Sequence, residues 1–146
     1  MIYFGQLRKN IPYIISMMFV ILLVYAASSK LFAYRQFQVQ LAQSLLLKTY
    51  AGTIAWALPI AELALSFFLL FEKYRRAALY TCLALMTLFT IYIVLTLNFS
   101  DAIPCSCGGV IAALGWKGHI IFNVSFIFLA IIGILFDKKD VKKNVP

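Results

Sequence analysis

Four long apolar runs decide what this chain can become. Ile11–Ala27, Ile54–Phe71, Ala77–Phe99 and Ile120–Phe136 are almost free of charge, and each approaches the ~20 residues that cross a hydrocarbon core of roughly 30 Å. Backbone immersed in lipid must satisfy its polar groups internally, so runs of this length are helices. The expected fold class is all-α, an integral membrane four-transmembrane-helix bundle forming a single domain over residues 1–146, with spans near 11–33, 51–71, 76–99 and 119–136. A short re-entrant or interfacial helix is expected between the third and fourth spans. Composition agrees: 64% of residues are hydrophobic and only 12% charged, against about a quarter charged in soluble chains.

The net charge of +8 does not point to nucleic acid, because the basic residues flank the spans and do not interleave with an aromatic patch. Their distribution gives a topology instead. Arg8, Lys9, Lys73, Arg75, Arg76, Lys138, Lys139, Lys142 and Lys143 fall on the side shared by both termini, and Lys30, Arg35, Lys48 and Lys117 on the other. That asymmetry places both termini in the cytoplasm, in a bacterial host at the inner membrane. The apolar run before Ala26-Ala27-Ser28 is longer than the usual h-region of a signal peptide, roughly 7–15 residues, and reads as a retained first helix.

Polar residues within the apolar frame are the next signal. The second span carries Pro59 and Glu62 in LPIAEL. A carboxylate at membrane depth costs roughly 2.5–3.5 kcal/mol to insert, so Glu62 faces the bundle interior. Its candidate partners are Lys30, Asn98 and Asn123, and its role is either a proton or ligand site or a hydrogen bond that fixes helix packing. Lys30 and Arg35 can also snorkel toward the interface. Leu31–Leu47 reads either as an amphipathic helix on the outer surface or as a helical connector. Glu72 to Arg76 reads as interfacial anchoring, and Cys82, Met17, Met18 and Met86 as packing residues.

The chemistry concentrates in PCSCGGVIAALGWKGHIIFN, from Pro104 to Asn123, which holds two of the three cysteines and the only histidine. Cys105 and Cys107 flank Ser106. A disulfide between residues so close closes only in a turn, which Gly108 and Gly109 permit. Such a bond constrains the unfolded chain little and, if strained, belongs to the labile, catalytic kind. A helix starting near Gly109 would place Cys107 where the dipole favours a thiolate. His119 can pair with that thiolate or move a proton, or it is simply an interfacial residue. Alternatively Cys105, Cys107 and His119 bind a soft metal such as Cu(I) or zinc. Trp116 suits headgroup level, and Asn123 shares a helical face with His119.

Four spans, Ser29-Lys30-Leu31 ending the first helix, Pro59-x-x-Glu62 in the second and a Cys-x-Cys-Gly loop before the fourth resemble the MauE/DoxX group of redox-associated membrane proteins. The architecture is also similar to the four-helix core of vitamin K epoxide reductase and DsbB enzymes, though this chain has Cys-x-Cys where those have Cys-x-x-Cys and lacks a second outer cysteine pair. The resemblance implies thiol–disulfide exchange with a periplasmic thioredoxin-like or cysteine-containing partner that meets the loop directly. Cys105, Cys107 and His119 would be catalytic, and Trp116, Asn123 and Glu62 would be candidates for holding a quinone. Other readings are a non-catalytic subunit or assembly factor among other membrane subunits, and a metal-binding membrane protein. The topology is tested with Asn144→Cys in a background free of the native cysteines: a membrane-impermeant maleimide should leave it unlabelled in intact cells, and labelling would invert the orientation.

Overall fold

The structure, a computed structural model, describes residues 2–44, 47–99 and 115–143. Among them nearly every residue is helical and none lies in a strand. The elements are α1 (Ile2–Phe32), α2 (Tyr34–Gln43), a 3-10 turn (Lys48–Tyr50), α3 (Ala51–Leu69), α4 (Glu72–Phe99) and α5 (Gly115–Lys143). Helices α1, α3, α4 and α5 are each long and apolar enough to cross a membrane. The helix expected between the third and fourth spans would fall in residues 100–114, outside the described residues.

The four long helices form a ring in which α1 lies along α3 and α5, α4 closes the circle between them, and α1 and α4 touch only lightly across the middle. Each helix turns one stripe inward at the spacing that keeps side chains on one face. Ile15, Phe19 and Leu23 of α1 meet Leu65 and Leu69 of α3, Leu79, Cys82 and Met86 of α4, and Phe126, Ala130 and Ile134 of α5. Phe19 and Phe126 meet edge to face, with ring centroids 5.1 Å apart, the arrangement that aromatic quadrupoles favour. Outside the stripes the helices remain apolar: Ile21, Trp56, Phe67, Leu88 and Phe128 are exposed. Only 28–33% of each span's most apolar window is buried, so the rest is a surface for lipid.

Several local details differ from the sequence reading. The sequence places the start of the first span near residue 11, with residues 1–10 as a basic lead and Pro12 in the first helical turn, but α1 is helical from Ile2. Pro12 is therefore inside the helix and buried. It cannot donate to the carbonyl of Arg8, which lies in an exposed stretch where water can take that bond. Met86 packs in the core as expected, but Met18 is 41% exposed and borders an apolar groove of about 320 Å³ between α1 and α5. The Glu72–Arg76 run does more than anchor. Arg76 Nε binds Asp137 Oδ2 at 3.2 Å and its Nη2 donates to the Asp137 carbonyl at 3.1 Å, which ties α4 to α5. Arg75 is buried, with its guanidinium 5.8 Å from the Tyr13 ring centroid.

Residues 34–43 form a helix, α2, that follows α1 after a break at Ala33. The Ala33 N–H still donates to Ser29 and the Phe37 N–H to Ala33, so the joint is tight. α2 buries Phe37 and Leu41 against Ala51 and Ala55 of α3 and leaves Arg35, Gln36 and Val39 exposed. Its far end is fixed by the Tyr92 hydroxyl of α4, which donates to Ser44 Oγ at 2.8 Å.

Gly133 tests the packing of the ring. A Cβ there would meet Ile15 Cγ2 at 3.3 Å and Leu79 Cδ1 at 3.4 Å, whereas one at Gly5 would meet nothing within 4 Å. Gly133→Leu should lower stability by about 1–3 kcal/mol through overpacking. Gly5→Ala should be neutral or stabilise by up to about 1 kcal/mol through helix propensity. Thermal unfolding of the detergent-solubilised protein measures both.

Candidate functional site

The inward stripes change character along their length. Continued past the apolar core toward one end of the bundle, α1 goes from Leu23 through Ala27 to Lys30, α3 from Leu65 to Glu62, and α5 from Phe126 to Asn123 and His119. Lys30, Glu62, Thr96, His119 and Asn123 are all buried. These five residues gather in one half of the bundle interior, the half nearest the start of α5, while Ser16, Ser66 and Arg75 are buried in the other.

At the centre is an ion pair. Lys30 Nζ lies 2.8 Å from Glu62 Oε1, and the two side chains are only 5% and 2% exposed. Lys30 sits in the last turn of α1, where the helix dipole favours a cation. Its ammonium is also 5.9 Å from the ring centroids of both Phe37 and Phe89, within the range of a cation–π attraction. One ammonium thus reaches α2, α3 and α4 from its place on α1.

Glu62 faces the interior, as its insertion cost requires, and Lys30 is its partner. The expected alternative of Lys30 snorkelling to the interface is not what forms. Asn98 is no partner either: it is exposed, and its Nδ2 donates to Val94 of its own helix at 2.9 Å. The remaining valences of the site are incomplete. Among the described residues Glu62 Oε2 and Asn123 Nδ2 are buried without a hydrogen-bond partner, an arrangement that calls for an explanation. One is an acceptor and the other a donor.

His119 and Asn123, four residues apart on α5, both turn inward, whereas Cys105 and Cys107 lie outside the described residues. Trp116 belongs to α5, but its side chain is likewise outside the described part. Cys82 is free, buried among apolar neighbours and far along α4 from the polar half. Among the described residues no cluster of histidine, cysteine and carboxylate side chains could hold a metal; the proposed ligand set depends on the two loop cysteines. Sequence reasoning named Lys30 both as a partner for Glu62 and as a snorkelling residue, and passed over Ser44 and Thr96. The signal was present in the stripe, since Ile15, Phe19, Leu23, Ala27 and Lys30 follow one another at helical spacing.

Removing one member of a buried pair leaves the other charge uncompensated. Glu62→Leu should therefore cost about 3–5 kcal/mol, and the double variant Lys30→Met/Glu62→Leu should recover most of that loss. Glu62→Gln, which keeps a hydrogen bond, should fall between wild type and Glu62→Leu. A thermal double-mutant cycle in detergent reads the coupling, and additive losses would show that the two side chains do not interact.

Comparison with known proteins gives the family and nothing on this site. The family described as Methylamine utilisation protein MauE matches the chain over residues 8–136, which include all four long helices' apolar segments and the cysteine stretch. No curated protein and no solved structure gives a match, so the likeness to DoxX and to vitamin K epoxide reductase gains no support beyond the sequence. With most of its length matched, and with four helices fit to cross a bilayer, the chain belongs to the MauE family of membrane proteins.

Proposed function

We propose that this protein is a membrane thiol–disulfide redox protein in which Cys105 and Cys107 exchange electrons with a cysteine-containing, thioredoxin-like partner on the outer, periplasmic face of a bacterial inner membrane. The observation that carries the reading is the joining of the Cys-x-Cys stretch, along the chain, to a helix whose first turns bury His119 and Asn123 in the half of the bundle that holds the Lys30–Glu62 pair. Membership of a family named for methylamine utilisation agrees with a redox setting.

The exchange balances in two steps. A partner thiolate attacks one sulfur of a Cys105–Cys107 disulfide, the S–S bond breaks, and a mixed disulfide forms while the other loop sulfur leaves as a thiolate and takes up a proton. A second partner thiol then loses its proton, displaces the loop sulfur and carries the partner away as a disulfide. The loop is left a dithiol, two electrons richer. His119, beside this stretch in sequence, serves as the proton carrier.

The loop must then be reoxidised, and a bound quinone supplies a sink for two electrons and two protons. Asn123 Nδ2 would donate to a carbonyl of its oxidised head, and Glu62 Oε2 would accept from a hydroxyl only once the head is reduced to the quinol. Lys30 holds Glu62 in place through its other oxygen. Burial of the pair under α2 excludes bulk water from these groups.

Alkylation mass shifts of the membrane-embedded protein across a glutathione potential series test the reading. Cys105 and Cys107 should oxidise together as a pair, Cys107→Ala should leave Cys105 trapped in a mixed disulfide with its partner, and Cys82→Ala should be silent. A pair that never oxidises but keeps stoichiometric metal through purification would replace the relay with a metal site.

A further inference from the structure

We propose that Arg75, lodged on Tyr13 at the end of the bundle where α3 turns into α4, holds the phosphate of an anionic phospholipid headgroup. This end is opposite to the Lys30–Glu62 pair and plays no part in the thiol chemistry.

Three observations converge on it. First, Arg75 is only 7% exposed, and its Nε is buried with no hydrogen-bond partner among the described residues. A guanidinium keeps its charge under all conditions in a protein, so burial demands a counter-charge. Second, no carboxylate of the described residues provides one. Asp137 is held by Arg76 at 3.2 Å, and Glu72 is exposed at the start of α4 without an ion pair to Arg75. Third, the surroundings are basic and aromatic in the manner of a headgroup layer. Lys73 is exposed with its ammonium 5.5 Å from the Tyr74 ring, Lys9 lies one turn outward from Tyr13 on α1, and Tyr13 and Tyr74 are themselves half exposed.

The guanidinium carbon lies 5.8 Å from the Tyr13 ring centroid, and the planar fork of donors that an arginine carries matches phosphate oxygens. Arg75 reaches Tyr13 across the diagonal of the ring, where α1 and α4 otherwise barely meet. The seat is therefore set between helices at the bundle's end and not on an open face. At that depth in a bilayer the abundant anions are lipid phosphates, and basic pockets between spans bind them.

The test uses the full chain, purified in detergent, stripped of lipid and titrated with phosphatidylglycerol, phosphatidylcholine or inorganic phosphate. Native mass spectrometry counts retained lipid and thermal unfolding reads its stabilisation. Wild type should retain phosphatidylglycerol in preference to phosphatidylcholine and gain nothing from inorganic phosphate. Arg75→Gln should lose more affinity than the roughly fivefold that one basic residue near an anionic surface is worth, while Lys73→Gln should lose fivefold or less. Arg75→Lys should restore part of the preference. Equal losses in Arg75→Gln and Lys73→Gln would reduce the effect to general surface charge and overturn the proposal. Stabilisation by inorganic phosphate equal to that by lipid would also overturn it, by making the site one for a soluble anion. Should Arg75→Gln fail to fold, wild type decides alone, because the absence of any preference for phosphatidylglycerol defeats the idea.

Discussion

An ammonium and a carboxylate buried together inside a lipid-immersed bundle set the terms for the helices around them. Each charge alone would cost roughly 2.5–3.5 kcal/mol to insert at the bilayer centre, and the two side chains are almost wholly shut off from solvent. The pair has to be made by the protein, with both stripes in register. That requirement fixes the rotation of α1 against α3, since turning either helix by one residue would carry a charge toward the acyl chains. Phe37 and Phe89 complete the enclosure from α2 and α4. A buried pair is weak evidence for stability, but it is a strong device for selecting one arrangement over others.

The bundle is consequently two structures joined end to end. Near the termini it is packed with aromatic and aliphatic side chains, among them Phe19, Leu79 and Phe126, which hold the four helices together through shape. Near the start of α5 the same stripes become Lys30, Glu62, His119 and Asn123, and contacts are directional. The apolar half serves as scaffold, and the polar half is where an unpaired acceptor and an unpaired donor are held ready. Placing α2 across that half, with Ser44 bound to Tyr92 of α4, shields it without adding a fifth span.

The fold was legible because lipid leaves the chain few choices: apolar length alone specifies helices, and four runs specify four spans. The interior position of Glu62 was legible for the same reason, as a carboxylate cannot face the acyl chains. What one residue's chemistry could not reveal was its partner. Asn98 and Asn123 had equal standing with Lys30 until the helix rotations were known, and Asn98 then proved to face outward. Arg75 and Arg76 are adjacent in sequence and looked alike. A helix separates neighbours by about 100°, so one crosses to α1 and the other binds α5. The helical nature of residues 2–10 was hidden by Pro12, which reads equally well as a first-turn residue or as an interior one.

The order of the two charges along the chain has a consequence for biosynthesis. Lys30 belongs to the first long helix and Glu62 to the next, so they leave the ribosome within one helical hairpin of each other. By the time the carboxylate enters the translocation channel, its counter-ion is already in the membrane and close by. Neutralisation can accompany lateral release of the hairpin, before α4 and α5 have been translated. Had the lysine been placed in α5, the nascent hairpin would have had to carry a bare carboxylate through that interval. The connectivity thus spares the half-made protein the least tolerable intermediate of its own insertion.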